Sequence, residues 1–327
     1  MGGFLGVKLA ISGQDVTFID IGDQLQAIQK KGLKLIMEDG AEHLIEAPKV
    51  TGSLEEAGPH DVIILALKAH HIQDVAEHMP ALYGPHTYVV TIQNGIPWWY
   101  FQRHGGEVDG RRLESLDPTG VIEANIPAER IVGCIAYAAA EVSAPGVIRQ
   151  VEGIRFPVGE LDGTESERCL ELIQVLLDAG FKSYILDKIR SEIWLKAWGT
   201  LSFNPISALT HSTLVDICQF PDTRCLAVKM MEEAQQIAGK LGIQFRHTIE
   251  RRVEGAESVG AHKTSMLQDV EAGRTLETEA LIGAVIELAR LTGTPAPAIG
   301  AVSACTKLLN KTFLTHNAKV GLIPLTE

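Results

Sequence analysis

Asp61-Val62-Ile63-Ile64-Leu65-Ala66-Leu67 is apolar without interruption from Val62 onward. A strand with one wet face alternates polar and apolar residues, so an unbroken run marks a parallel strand covered on both faces. Upstream, Phe4–Ala10 is small and apolar and stops near Gly13. Val16, Phe18 and Ile19 predict a short buried strand that ends at Asp20. A helical stretch then runs through Leu25 and Ile28 to a stop at Gly32. Leu33-Lys34-Leu35-Ile36 and Leu44-Ile45 flank Asp39-Gly40, the pattern of two strands around a tight turn. Downstream, a helix is expected over His70–Met79 and a second buried strand over Tyr88–Ile92. Strands alternating with helices predict an α/β domain with an open, doubly wound, mostly parallel sheet.

The second half changes period. Leu170, Ile173 and Leu177 recur at helical spacing before Gly180. Met230, Ala234, Ile237, Ala238 and Leu241 do so before Gly242, and Leu281, Ala284, Val285 and Leu288 before Gly293. The polar, Gly-rich Gly159–Thr164 reads as the join. It divides a sheet domain over 1–164 from an all-helical domain over 165–327, and 327 residues suit two domains of about 100–200 each.

Composition narrows the function classes. Hydrophobic residues are 46% and charged residues 21%, enough for packed cores and no case for disorder. Lys+Arg is 29 against Asp+Glu 41, a formal net charge of −12, which disfavours nucleic acid as a partner. No apolar run nears the ~20 residues that span a bilayer, so no membrane partner is expected. Five scattered cysteines without a C-x-x-C predict neither a metal site nor disulfides, and fit the cytoplasm.

The candidate sites each carry two readings. Met1-Gly2-Gly3-Phe4-Leu5-Gly6 is either a flexible glycine-rich start or the end of a dinucleotide loop entering its helix. In the second reading Gly2 lies at the pyrophosphate and Asp20, at the end of the next strand, holds the adenosine ribose. That reading lacks a first strand and two glycines. It predicts that the functional protein carries an upstream strand between Val16–Asp20 and Asp61–Leu67. Asn94, in Gln93-Asn94-Gly95, sits at a strand's carboxyl end, either as an Asn-Gly turn or at a ligand. Lys68 is a loop lysine or a contact at the cofactor edge. In Trp194–Pro205, Trp194, Ala197, Trp198 and Leu201 form an apolar stripe, while Lys196, Thr200 and Asn204 recur at i, i+4 and i+8 on another face. Pro205 is expected to kink or end that helix. Ser265 opens a further cluster. Beyond Gly273, Glu277 is expected in the first turn of a helix, where the dipole favours a carboxylate.

Taken together, M-G-G-F-L-G at Met1, Q-N-G at Gln93, W-L-K-A-W…F-N-P at Trp194 and S-M-L-Q-D…R-T-L-E at Ser265 resemble the ketopantoate reductase family. The resemblance implies a Rossmann-type N-terminal domain, a helical C-terminal domain and reduction of a branched 2-oxo acid by NADPH, on the route to pantothenate. It implies Lys196 as the catalytic lysine with Glu277 supporting it. Asn94 would lie beside nicotinamide and substrate, and Asn204 and Ser265 at the substrate. Thr200 stands where the family commonly has asparagine, and it can donate only one hydrogen bond. NADP(H) is the family's cofactor, but Asp20-Ile21 lacks a basic residue for the 2′-phosphate and predicts acceptance of NAD(H). The longer segment between Gly95 and Arg130, from Trp98-Trp99-Tyr100-Phe101 through Asp117-Pro118, is expected to reshape the substrate pocket, serve as an oligomer contact in a homodimer, or be a packed surface excursion. Reduction of a different branched 2-oxo acid, and non-catalytic nucleotide binding, are the alternatives.

Overall fold

The computed structural model describes residues 1–322. Backbone contacts group the chain into two units, each with its own core. The first comprises Met1–Gln93, Phe101–Arg112 and Asp117–Ile189. The second comprises Asn94–Tyr100, Leu113–Leu116 and the chain from Arg190 onward.

In the first unit, helix α1 (Gly2–Ile11) is followed by β1 (Thr17–Ile19), α2 (Gly22–Lys31), β2 (Leu33–Ile36), β3 (Glu42–Ile45) and β4 (Lys49–Thr51). Then come α3 (Leu54–Ala57), β5 (His60–Leu65), α4 (Ile72–Ala76), β6 (Tyr83–Thr91), α5 (Val121–Asn125) and β7 (Ile131–Cys134). The hairpin β8 (Tyr137–Ala144) and β9 (Val147–Arg155), β10 (Val158–Glu160) and α6 (Glu167–Asp178) complete it. Strands β5, β6 and β7 run parallel, with β10 antiparallel at the edge. A second sheet has the order β3-β2-β9-β8, and β1 pairs in parallel with β4. Among the described residues no ladder joins β1 to β5.

The core of this unit gathers Phe4, Leu5 and Val7 of α1, Leu33 and Leu35 of β2, Val90 of β6, Val132 of β7 and Ile148 of β9. Phe156 and Phe181 pack edge to face, 5.1 Å apart. The glycines of α1 have a steric reason: a Cβ on Gly6 would sit 2.3 Å from Cε1 of Phe18. The helix therefore approaches the β1 side chain as closely as only glycine permits. Helix α2 stops at Gly32, whose φ of 77° closes the turn into β2.

Several expectations need correction. The first strand is not buried: Thr17 and Phe18 are half-covered and Ile19 is 38% exposed. In β5, Val62, Ile63 and Ile64 are only half-buried. The helix expected over His70–Met79 shrinks to α4 behind a short turn at Ala69–His71. Helix α6 has the right period but the wrong face, since Leu170 and Leu177 are 47% and 44% exposed while Cys169, Leu172 and Leu176 are buried. The β8–β9 hairpin went unread because its Ala-rich first strand has little β propensity. Backbone contacts keep the chain in the first unit beyond residue 164. Cys169, Leu172, Leu176 and Phe181 fill the first unit's core, which holds the chain there through Ile189.

The second unit is helical: α7 (Ile189–Thr210), α8 (Leu214–Gln219), α9 (Pro221–Lys240), α10 (Ile249–Ser258), α11 (Ser265–Ala272), α12 (Ala284–Leu291) and α13 (Pro297–Thr315). Helix α7 continues past Pro205 to Thr210 instead of ending there. Thr264 caps α11 by accepting from the amide of Leu267, and Gly273 ends it in the left-handed conformation.

Candidate active site

Helix α7 is fixed by its tryptophans. Trp194, Ala197, Trp198 and Leu201 are all buried, as their spacing predicts. Trp198 Nε1 donates to the carbonyl of Met231 at 2.7 Å, and its ring packs on Phe245 with centroids 4.1 Å apart. Trp194 Nε1 donates to the hydroxyl of Tyr100, also at 2.7 Å. With that face pinned, Lys196, Thr200 and Asn204 lie along another side of the same rigid element. Lys196 and Thr200 are half-buried, and Asn204 is 8% exposed. Asn204 Nδ2 donates to Ser265 Oγ at 3.3 Å, which joins α7 to the first residue of α11. Thr200 spends its single donor on its own helix, reaching the carbonyl of Ala197 at 3.2 Å. It can offer a ligand only lone pairs.

Glu277 lies one step outside the position expected for it. Its carbonyl accepts from the amide of Leu281, so it stands at the helix cap, before the first turn. A wide π-helical turn follows over Glu279–Gly283, a feature frequent at functional sites. The Asn94 loop docks here. The amide of Ile96 donates to the carbonyl of Ala280 at 2.9 Å. Gly95 has φ of +80°, and a Cβ on it would sit 2.2 Å from that same oxygen. Both the conformation and the close approach require glycine. The loop that follows Asn94 is thus held against the helix that follows Glu277, and Asn204 and Ser265 are brought into contact.

Gly2, Asp20 and Lys68 belong to the first unit. Gly2 opens α1 beside Ala66, whose Cβ would be 3.2 Å from a Cβ on Gly2. Asp20 follows β1 and accepts from the amide of Ile21 at 2.9 Å. Burial pushes its carboxyl above the usual range, partly offset by that amide. Lys68 follows β5 and starts the turn Ala69–His71. Gln93 Nε2 donates to the carbonyl of Leu65 at 2.7 Å, while its Oε1 is buried with no hydrogen-bond partner. A buried acceptor without a donor at a strand's carboxyl end suits a polar ligand. A helix N-terminus opened by glycine, an acid after β1 and this orphaned oxygen fit a dinucleotide.

Three features escaped the sequence reading. The carboxylate of Glu192, buried one helical turn ahead of Lys196, pairs with Arg246 at 2.9 Å. The i, i+4 spacing was the available signal. The guanidinium of Arg252 occupies the space where a Cβ on Gly199 would stand. The aromatic cluster of the insertion lies on no surface: Trp98, Trp99, Tyr100 and Phe101 are buried within the chain itself, whereas Glu107, Gly110, Arg111 and Arg112 later in the insertion are exposed.

Two family models match: the ketopantoate reductase PanE/ApbA model over residues 1–163 and its C-terminal model over 188–310. A 2-dehydropantoate 2-reductase of Mesorhizobium japonicum is 49% identical over 310 residues, 94% of either chain. A crystal structure from Ralstonia solanacearum MolK2, described as a candidate ketopantoate reductase, is 35% identical with a TM-score of 0.91, covering 95% of each chain. The 2-dehydropantoate 2-reductase structure from Geobacter metallireducens GS-15, at 24% identity and a TM-score of 0.82, covers 94% of this chain and 96% of its own and shares the fold.

Proposed function

The chain belongs to the ketopantoate reductase family, and from that premise we propose that it reduces the ketone of 2-dehydropantoate to pantoate with a reduced nicotinamide dinucleotide. The observation that carries the proposal is the polar line of Lys196, Thr200 and Asn204 on α7, closed by the Asn204–Ser265 hydrogen bond.

The first unit is assigned the dinucleotide, through Gly2, Asp20 and Lys68, and the second the substrate. A bound reduced nicotinamide supplies the hydride. The substrate oxygen gains negative charge as its carbon is reduced, and Lys196 Nζ stabilises that charge and gives up the proton. Asn94 is assigned the place beside the nicotinamide and the substrate carbonyl. Asn204 and Ser265 orient the carboxylate and hydroxyl, and Glu277 holds the lysine or the substrate hydroxyl. NADPH is the family's cofactor. Asp20 followed by Ile21, with no basic neighbour for a 2′-phosphate, supports use of NADH as well.

One observation favours a second substrate, a different branched 2-oxo acid: Thr200 turns its only donor into its own helix. Assembly as a homodimer is part of the proposal. A cytoplasmic setting is supported by five free cysteines, and no helix among the described residues is long and apolar enough to cross a membrane. The test is consumption of NADPH or NADH on adding ketopantoate, set beside other branched 2-oxo acids. Pantoate should form in step with cofactor oxidation. No oxidation with either cofactor contradicts the proposal, and faster turnover of another acid favours the second substrate.

A further inference from the structure

The segment Ile96–Tyr100 leaves Asn94 directly and is held at both ends. At its start, Ile96 is bonded to Ala280, just beyond Glu277. At its end, α7 grips one residue twice: Arg190 Nε donates to the backbone carbonyl of Tyr100 at 2.6 Å, and Trp194 Nε1 to its hydroxyl at 2.7 Å. Arg190 and Trp194 are four residues apart, on one face of the helix. The guanidinium of Arg190 also lies 5.9 Å from the centre of the Tyr100 ring. Tyr100 is fully buried.

We infer that Tyr100 is a positioning residue, whose two hydrogen bonds, accepted from Arg190 and Trp194, fix the loop carrying Asn94 against the helix carrying Lys196. The inference rests on the proposed roles of Asn94 and Lys196. Trp194 and Lys196 are two residues apart and so face roughly opposite sides of α7. Tyr100 is therefore gripped on the side of α7 away from Lys196, and it acts by setting the rotation and axial position of the helix. A hydrogen bond between a phenol and an indole is directional, whereas an apolar contact between the same rings could slide. Burial pushes the phenol up to about 12, against the opposing hydrogen bond from Trp194 and the charge of Arg190, so the group stays neutral while it accepts.

Tyr100→Phe keeps the ring and removes only the acceptor. Assayed well below its melting temperature, it should lose about tenfold or more in kcat, the scale of a small misplacement of reacting groups, with the KM for cofactor unchanged. In an Asn94→Ala background the same change should cost less than about twofold, because the group it places is gone. A lowered Tm with kcat near wild type, or full additivity with Asn94→Ala, overturns the inference and leaves Tyr100 a packing residue. If Tyr100→Phe does not fold, Arg190→Gln removes the other grip. A fall in kcat at unchanged cofactor KM then supports the inference, and wild-type kcat overturns it. Lys196→Ala is assayed alongside. If it remains active, the proposed role of Lys196 fails. If it is inactive while Tyr100→Phe is unimpaired, only this inference fails.

Discussion

Helix α1 buries Phe4, Leu5, Val7 and Leu9 and offers glycines where neighbours come closest. Helix α7 buries Trp194, Trp198 and Leu201, but also Glu192, Ser202, Asn204 and Ser207. The first works through what it lacks, since absent side chains let its start and flank approach Ala66, Ile148 and Phe18. The second works through what it carries, polar groups held inside an apolar helix at the cost of pairing each of them. A helix of the first kind offers backbone to a ligand, whereas one of the second kind offers chemistry. Substitutions within α1 beyond its first turn should therefore register as lost stability, and those on the polar line of α7 as lost turnover.

The sharpest break comes at Lys196. Lys196→Ala is expected to lower kcat by about 10²–10⁴, the range for removing a general acid, or roughly 3–5 kcal/mol. Its melting temperature should stay near wild type, because the tryptophan face of α7 is untouched. Steady-state kinetics with a thermal melt check both halves. A folded Lys196→Ala protein keeping more than about a tenth of wild-type kcat removes the lysine from the mechanism.

The contrasting case is Gly6→Ala. Its new Cβ would overlap the Phe18 ring, which must shift, and overpacking of this kind costs about 1–3 kcal/mol against a helix-propensity gain of about 1. Denaturant unfolding should show the loss while kcat per folded molecule stays unchanged. An equal loss of kcat would mean that α1 takes part in the chemistry.

The smallest effect is expected at Asp20. Its carboxyl titrates above the usual range because it is buried, so the folded state binds the proton more tightly than the unfolded one. The stability this gives is complete at low pH and is lost as pH rises through the raised value. At neutral pH the buried charge is therefore a burden. Asp20→Asn should raise Tm slightly at neutral pH and leave it unchanged in acid. It should also move the kcat/KM ratio toward NADPH by about tenfold, near 1.4 kcal/mol. A ratio that moves toward NADH contradicts the assignment of Asp20 to the ribose.

How far the sequence foretold this differs between helices. On α7 the stripe Trp194, Ala197, Trp198 and Leu201 is buried as its spacing predicts, so the side carrying Lys196, Thr200 and Asn204 was legible even though Ile193, Leu195 and Phe203 are buried on other faces. On α6 two stripes one residue apart, Leu170-Ile173-Leu177 and Cys169-Leu172-Leu176, share the period, and only packing chooses between them. The strand pair Leu33–Ile45 was legible because Asp39-Gly40 marks its turn. The parallel pairing of β2 with β9 was not, since it joins segments more than a hundred residues apart. The same distance hid the partner of the aromatic insertion: Trp98–Phe101 is plainly apolar, but nothing local says that Tyr100 meets Trp194. Thr200 was legible as a departure from the family, and only the structure shows its donor turned inward.

The central claim is hydride reduction of a 2-oxo acid by residues of α7, and isotope transfer tests it most directly. The protein would be incubated with ketopantoate and a cofactor deuterated on the transferred face, and the pantoate analysed by mass spectrometry. The account predicts pantoate carrying one deuterium at C2 from the wild-type protein and almost none from Lys196→Ala over the same time. Unlabelled pantoate, or no pantoate from the wild-type protein with either cofactor, would contradict it.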